Sequence, residues 1–250
     1  MRIIAHIPNS ITLMNLLSGS LAVCFSFYGE FMYAILCIVA AAIFDFLDGF
    51  SARLLHAYSP VGKELDSLAD MVSFGLAPAF IAFNRLLYIW GISLLDVFDT
   101  DNAFIYCISL AATLMIALFS ALRLGKFNID TRQSENFIGL ATPANALFIG
   151  SLMCTSAIYQ GFNSFLNSNW WTIPVASVAL SLLLVAEIPM FSFKFKNLGW
   201  KDNAIRFVFI GIAALLGIVV LIAGLSWCVW LSLIFACYII MNIIYGLSVK

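Results

Sequence analysis

Charged residues are scarce in this chain of 250 residues. Asp, Glu, Lys and Arg make up only 10% of the sequence, whereas a soluble domain contains roughly 25%. Hydrophobic residues make up 63%, and the mean hydropathy is +1.04. This composition excludes an ordinary soluble domain and indicates a membrane protein. The net charge is −1 and no basic tract occurs, so nothing in the sequence points to nucleic acid as a partner.

Several common site signatures are also missing. The six cysteines are scattered through apolar runs with no Cys-x-x-Cys pair, so we interpret them as small buried hydrophobic residues. The two histidines, His6 and His56, are too few for a histidine-rich zinc site. The chain contains no Walker-type phosphate loop and no signature of a Ser-His-Asp hydrolase.

Long apolar runs take the place of these signatures. A helix needs roughly 20 apolar residues to cross the hydrocarbon layer. Eight segments qualify: 11–28, 32–55, 67–90, 103–122, 143–160, 171–190, 205–224 and 227–247. The sequence therefore predicts an all-α polytopic membrane protein with about eight transmembrane helices, forming a single catalytic domain over residues 1–250.

The basic residues predict the orientation of these helices. With eight spans and both termini in the cytoplasm, all 12 lysines and arginines except Arg85 fall on the cytoplasmic side. This bias follows the positive-inside rule. We interpret Arg85 as an anchor at the outer interface.

One stretch carries acids where membrane helices rarely have them. The segment DFLDGFSARLLHAYSPVGKELDSLAD contains Asp45, Asp48, Asp66 and Asp70. A carboxylate at membrane depth is costly, so it is usually paired, hydrated or bound to metal. Interhelical salt bridges and a helix cap are one alternative, but Arg53 alone cannot neutralise four acids. A pair of divalent cations can.

Helical spacing places these acids on two faces that can meet. One helix carries a face with spacings i, i+3, i+4, i+7 and i+8: Asp45, Asp48, Gly49, Ala52 and Arg53. The next helix carries a second face, with spacings i, i+4, i+8 and i+11: Gly62, Asp66, Asp70 and Ser73. A turn over 58–61 would make the two helices antiparallel neighbours around one cavity. Hard oxygen ligands favour Mg²⁺, Mn²⁺ or Ca²⁺, and two such ions suit phosphoryl transfer.

The stretch resembles the signature of the CDP-alcohol phosphotransferases, D-x2-D-G-x2-A-R-x8-G-x3-D-x3-D, with all its positions filled between Asp45 and Asp70. The resemblance implies transfer of a phosphatidyl-type group from a CDP-activated donor to an alcohol, with release of CMP. It implies two divalent cations, Mg²⁺ or Mn²⁺ rather than Ca²⁺, and a homodimer. The implied metal ligands are Asp45, Asp48, Asp66 and Asp70, with Asp70 also the general base. The implied CDP contacts are Gly49, Ala52, Arg53 and Gly62.

Three further segments are similar to the phosphatidylserine synthases of bacteria and archaea within that family. They are residues 8–19, residues 62–80, and residues 121–128 together with 139–146. This similarity implies CDP-diacylglycerol as donor, L-serine as acceptor, and a site at the cytoplasmic face of a prokaryotic inner membrane, among membrane lipids.

A zwitterionic acceptor such as serine needs a cation for its carboxylate and an acceptor for its ammonium group. Five polar residues are candidates: Asn15, Arg123, Lys126, Asn128 and Asn145. Positive-inside anchoring is the alternative role for Arg123 and Lys126, and bonding between helices is the alternative for Asn15. Transfer of the phosphatidyl group to glycerol 3-phosphate, inositol phosphate or choline instead of serine is an alternative that stays open. A cation transporter is a remote alternative, because the acids cluster near one face and no inverted repeat is seen.

Overall fold

The structure is a computed structural model that describes residues 6–130, 137–191 and 199–248. This part of the chain is built from helices with one short two-stranded sheet. In chain order the elements are α1 (His6–Phe27), α2 (Phe31–Leu54), α3 (Pro60–Asp70), a π-helical turn (Met71–Leu76), α4 (Ala77–Trp90), a 3-10 turn (Asp96–Asp99), α5 (Ala103–Ile129), β1 (Phe137–Ile138), α6 (Thr142–Ile158), α7 (Gln160–Ser168), α8 (Thr172–Val185), β2 (Pro189–Met190), α9 (Trp200–Ile222) and α10 (Trp227–Ser248).

The two acid-bearing helices are joined by a turn, as predicted, but the turn lies at residues 55–59 rather than 58–61, because Pro60 and Val61 already belong to α3. Within the turn, His56 is in the left-handed region at φ +50°. Ser59 caps α3, because its side chain accepts a hydrogen bond of 2.9 Å from the backbone N–H of Gly62. Pro60 follows at the first helical position, where its missing N–H is not needed.

The third membrane segment is one continuous helix with a π-helical turn inside it. The α3 helix, the π turn and α4 together form a span of 31 residues, Pro60–Trp90. The π turn brings the chain close to α1, where a Cβ atom on Gly19 would overlap Ser73. It also approaches α5, where a Cβ atom on Gly75 would lie 3.0 Å from the Cβ of Ser120. Ser73 consequently turns toward α1 and donates a hydrogen bond of 2.9 Å to the carbonyl of Asn15.

The predicted all-α membrane protein is confirmed. Within the described residues, six helices are long and apolar enough to cross a membrane. A seventh span is possible if α7 and α8, which meet at 88°, count as one broken span, and α6 is a shorter apolar helix. These helices cover all eight predicted segments, but the number eight and the cytoplasmic position of both termini stay predictions.

A small sheet joins two long connections. The strands β1 and β2 are antiparallel, with Phe137 opposite Met190 and Ile138 opposite Pro189. Gly139 extends the pairing, since its N–H donates to the carbonyl of Ile188 at 2.9 Å. The connection from α5 to α6 is thereby tied to the connection from α8 to α9.

Arg85 is completely buried, so its interpretation as an interface anchor is wrong. Its guanidinium donates to the Ser156 hydroxyl at 2.9 Å, to the Ser156 carbonyl at 3.0 Å and to Asn163 Oδ1 at 2.8 Å. It also lies 5.4 Å from the ring centres of Phe31 and Tyr88. Arg85 therefore ties α4 to α2, α6 and α7 inside the protein.

Candidate active site

Three of the four predicted acids come together where α2 meets α3. Asp45, Asp48 and Asp66 each offer a carboxylate oxygen, and these oxygens lie within 4.8 Å of one another. Asp48 is buried, and the other two are half-buried. Among the described residues, Asp48 Oδ2 and Asp66 Oδ1 are buried without a hydrogen-bond partner. Because an unpaired buried carboxylate is costly, and carboxylate oxygens are the ligands that hard divalent cations take, this cluster fits a divalent metal ion.

Asp70 is placed beside this cluster by α1. It is the last residue of α3, and its Oδ1 accepts a hydrogen bond of 3.1 Å from Asn15 Nδ2. It lies within electrostatic range of Asp45, Asp48 and Asp66. One carboxylate oxygen of Asp70 is thus held by an amide of α1.

A cavity of about 530 Å³ opens beside two of the three clustered carboxylates, Asp48 and Asp66. This volume lies in the range of small-molecule sites, roughly 300–1,000 Å³. Its lining comes from α1, α2, the turn and α3: Pro8, Asn9, Thr12, Asp48, Gly49, Ala52, Ala57, Tyr58, Ser59, Pro60, Gly62, Lys63 and Asp66. Three of the four residues predicted to contact CDP are therefore in its wall.

Small residues keep the cavity open. A Cβ atom on Gly62 would come within 2.9 Å of Asn9 Oδ1 and 3.0 Å of the Ser59 hydroxyl. Arg53, the fourth predicted CDP contact, is exposed, and its Nη1 would lie 3.6 Å from a Cβ atom on Gly49. Its guanidinium therefore reaches back along α2 toward the cavity wall.

The acceptor candidates occupy different surroundings. Arg123 on α5 is buried, and its guanidinium lies over the neighbouring rings of Phe127 and Phe137, 5.8 and 5.9 Å from their centres. Its Nη1 is 3.5 Å from the Thr142 hydroxyl, and it lies within electrostatic range of Asp70. Its Nε is buried without a hydrogen-bond partner in the part of the chain that the structure describes.

Asn145 also has buried polar atoms without hydrogen-bond partners in the described part of the chain, whereas Lys126 and Asn128 do not. Asn145 on α6 is completely buried, and both polar atoms of its amide lack a partner among the described residues. Lys126 is exposed. Asn128 donates to the Ser67 hydroxyl at 2.9 Å, and its carbonyl accepts from Lys63 Nζ at 3.5 Å. Lys126 is therefore at the surface and Asn128 is already paired, whereas Arg123 and Asn145 keep buried polar atoms without a partner among the described residues.

Ser120 is a candidate that the sequence analysis missed. Its hydroxyl is completely buried and has no hydrogen-bond partner within residues 6–130, 137–191 and 199–248. It precedes Arg123 by three residues on α5, so both face the same side of that helix. The three-residue spacing from Arg123 was the one sequence feature that pointed to Ser120. Because serine is common in apolar helices, that spacing alone does not identify a site residue.

Comparison with known proteins identifies the family of this arrangement. A sequence model of the CDP-alcohol phosphatidyltransferase family matches residues 5–219. The chain is 33% identical over 189 residues to the CDP-diacylglycerol–serine O-phosphatidyltransferase of Bacillus subtilis (strain 168), covering 76% of this chain and 92% of that protein. It is 31% identical over 190 residues to the protein of that name from Helicobacter pylori (strain 26695), covering 75% and 72%. A third protein of that name, from Methanocaldococcus jannaschii, is 30% identical over 187 residues, covering 75% and 74%. With its acids, cavity and membrane helices in these positions, the chain belongs to the CDP-alcohol phosphatidyltransferase family.

Proposed function

We propose that this protein is a phosphatidylserine synthase that works at the cytoplasmic face of a prokaryotic inner membrane. The family match and the relatives establish the coarser statement: the chain is an integral membrane phosphatidyltransferase that uses CDP-diacylglycerol. The finer statement is that the acceptor is L-serine and that two divalent cations, Mg²⁺ or Mn²⁺, assist the transfer.

The observation that carries the serine assignment is the buried guanidinium of Arg123 in electrostatic range of Asp70. A buried arginine with an unpaired Nε suits a ligand carboxylate, because guanidinium and carboxylate form charge-assisted hydrogen bonds. We assign the serine carboxylate to Arg123 and one of the serine polar groups to Asn145. Lys126 and Asn128 receive no direct acceptor contact in this proposal.

The donor occupies the cavity next to the acids. Gly49, Ala52 and Gly62 line that cavity, so they let the CDP group approach the helix backbones. Arg53 reaches the pyrophosphate from the end of α2. The carboxylates of Asp45, Asp48, Asp66 and Asp70 would hold the two divalent cations. Bound there, the cations would offset negative charge on the phosphate groups and on departing CMP.

Asp70 serves as the general base. Asn15 holds Asp70 Oδ1, so the other oxygen is oriented to take the proton from the serine hydroxyl. The serine oxygen forms a bond to the phosphorus that carries diacylglycerol, and the bond from that phosphorus to CMP breaks. Phosphatidylserine and CMP are the products.

The testing experiment measures CMP release by the purified protein in detergent with CDP-diacylglycerol and Mn²⁺ or Mg²⁺. Serine, glycerol 3-phosphate, inositol phosphate and choline are compared as acceptors. We expect CMP release with serine and with none of the other acceptors. In the Asp70→Asn variant, we expect the rate of CMP release to fall by roughly 100-fold or more. Release with another acceptor would contradict the serine assignment, and near-normal turnover of a folded, metal-binding Asp70→Asn variant would contradict the role of Asp70.

Homodimerisation, implied by the family resemblance, stays a prediction. Light scattering of the detergent-solubilised protein measures it directly, with a mass of two chains expected after correction for bound detergent.

A further inference from the structure

The C-terminal helix α10 holds the two long connections that meet in the small sheet. Its residues Tyr238, Asn242 and Gly246 are spaced i, i+4 and i+8, so they share one face. The amide oxygen of Asn242 accepts a hydrogen bond of 2.7 Å from the N–H of Phe191, and the Tyr238 hydroxyl donates to the carbonyl of Phe191 at 3.1 Å. Both backbone polar groups of Phe191, the residue after β2, are therefore held by one helix.

This contact is buried and closely fitted. Tyr238 and Asn242 are 4% and 0% exposed, and Asn242 Nδ2 also donates to the Tyr238 carbonyl at 2.8 Å. A Cβ atom on Gly246 would lie 2.6 Å from the side chain of Ile188 and 3.3 Å from Pro189. The absence of a side chain at Gly246 thus lets the segment before Phe191 lie directly on α10.

The held segment leads to Arg123 through β1. Phe137 pairs with Met190 in β2, and the ring of Phe137 covers the Arg123 guanidinium at 5.9 Å. Thr142, at the other end of this stretch, contacts Arg123 Nη1 at 3.5 Å. Residues 137–142 therefore touch Arg123 at both ends, and α10 holds them through β2. Tyr238 itself lies within electrostatic range of Arg123.

Side-chain packing leaves this region partly open. A cavity of about 340 Å³ lies between the connections and α10, lined in part by Phe137, Phe191, Phe235 and Tyr238. Because a cavity gives side chains room to shift, directional hydrogen bonds are needed to keep Phe191, and with it β1, at one position.

We propose that Tyr238 and Asn242 are positioning residues for the acceptor site: by holding Phe191 they set the place of Phe137 and Thr142 around Arg123. The family match ends at residue 219, so α10 lies outside it. This inference rests on the proposed role of Arg123 toward the acceptor. It assigns α10 a part in acceptor selection rather than in donor or metal binding.

The first test is kinetic. Tyr238→Phe removes one hydroxyl and Asn242→Leu removes the amide at similar size, while Trp230→Phe is the matched control. Trp230 is also on α10, and its Nε1 donates to the Ala213 carbonyl at 2.9 Å, so this variant loses a hydrogen bond away from the sheet. We expect the KM for serine to rise about 3–10-fold in the two test variants, with the KM for CDP-diacylglycerol within about twofold of the parent value. Trp230→Phe should change neither.

An equal rise in both KM values, or an unchanged serine KM in folded Tyr238→Phe protein, would overturn the proposal. If the parent protein uses an acceptor other than serine, the serine assignment fails, and the same KM comparison with that acceptor still decides the role of α10.

The second test does not depend on turnover. Hydrogen exchange of the full chain in detergent should become faster over residues 188–191 and 137–142 in Asn242→Leu, and stay unchanged over residues 45–70. Faster exchange confined to residues 188–191 would contradict transmission to Arg123, and so would faster exchange spread over the whole chain. If Asn242→Leu does not fold, Tyr238→Phe provides the same comparison.

Discussion

Asn15 and Asp70 are 55 positions apart in the chain, yet the amide of Asn15 donates a hydrogen bond of 3.1 Å to Asp70 Oδ1. This contact joins α1 to the end of α3 at the candidate active site. It is supported from the π turn, because the Ser73 hydroxyl donates to the Asn15 carbonyl at 2.9 Å. The orientation of Asp70 thus depends on a helix that carries no acid of its own.

Replacing Asn15 by Leu should lower kcat about 10-fold, the usual scale for losing a residue that orients a catalytic or metal-binding group. The cause would be a freely turning Asp70 carboxylate. Steady-state CMP release measures the effect. Ser10→Ala is the control, since Ser10 is exposed on α1 and its hydroxyl donates to the His6 carbonyl of the same helix at 3.0 Å. A kcat of Asn15→Leu equal to that of the control would contradict the orienting role.

Replacing Asp48 by Asn should weaken divalent-metal binding by more than about 100-fold, beyond the effect of an outer-shell change. Asp48 is buried, and its Oδ2 has no hydrogen-bond partner among the described residues, so the neutral amide leaves a cation site with less charge. Isothermal titration calorimetry of Mn²⁺ into metal-free protein measures the affinity. Glu64→Gln, an exposed acid on α3, is the control and should bind like the parent.

Removing the metal from the parent protein should abolish CMP release, and adding Mg²⁺ or Mn²⁺ should restore it. The physical reason is that the clustered carboxylates would otherwise repel the phosphate groups of the donor. Activity after exhaustive chelation, with metal content measured on the same sample, decides the point. Full activity without bound metal would contradict metal assistance.

Replacing Arg123 by Lys should raise the KM for serine about 10-fold and leave the KM for CDP-diacylglycerol nearly unchanged. A lysine keeps the charge but loses the planar fork of donors and the stacking on Phe127 and Phe137. Lys126→Arg is the control, because Lys126 is exposed on the same helix. A parallel change in both KM values would indicate a structural role for Arg123 instead.

Replacing Gly19 by Ala should lower the stability of the protein by about 1–3 kcal/mol, the usual cost of overpacking a close contact. The added methyl group would overlap Ser73 and force α1 away from the π turn. Thermal unfolding in detergent measures the change. Gly211→Ala on α9 is the control, since nothing lies within 4 Å of its added Cβ atom. A helix gains stability from alanine over glycine, so the control should unfold no earlier than the parent.

Local spacing explains what could be predicted from the sequence. The acids of α2 and α3 lie within 26 residues, and helical periodicity with a turn between them is enough to place Asp45, Asp48 and Asp66 together. The apolar runs likewise predict the helices themselves. These features depend on residues that are near one another in the chain.

Contacts between distant segments explain what could not be predicted. Arg85 and Ser156 are 71 positions apart, and no sequence pattern near Arg85 indicates that it has buried hydrogen-bond acceptors. Asn242 and Phe191 are 51 positions apart, so the role of α10 is invisible in its apolar sequence. The contacts of the π turn are also distant in the chain, since Ser73 meets Gly19 on α1 and Gly75 meets Ser120 on α5.

The span Pro60–Trp90 has a further consequence for how this chain can change. Asp70 must meet Asn15 at the end of α3, and Arg85 must meet Ser156 farther along, in α4. Outside the π turn that lies between Asp70 and Arg85, the helix advances by about 100° and 1.5 Å per residue. Inserting or deleting one residue between these two positions would turn one side chain away from its partner, however mild the residue itself. The length of this segment, and not only the identity of its residues, is therefore restricted: insertions and deletions here would be less tolerated than substitutions.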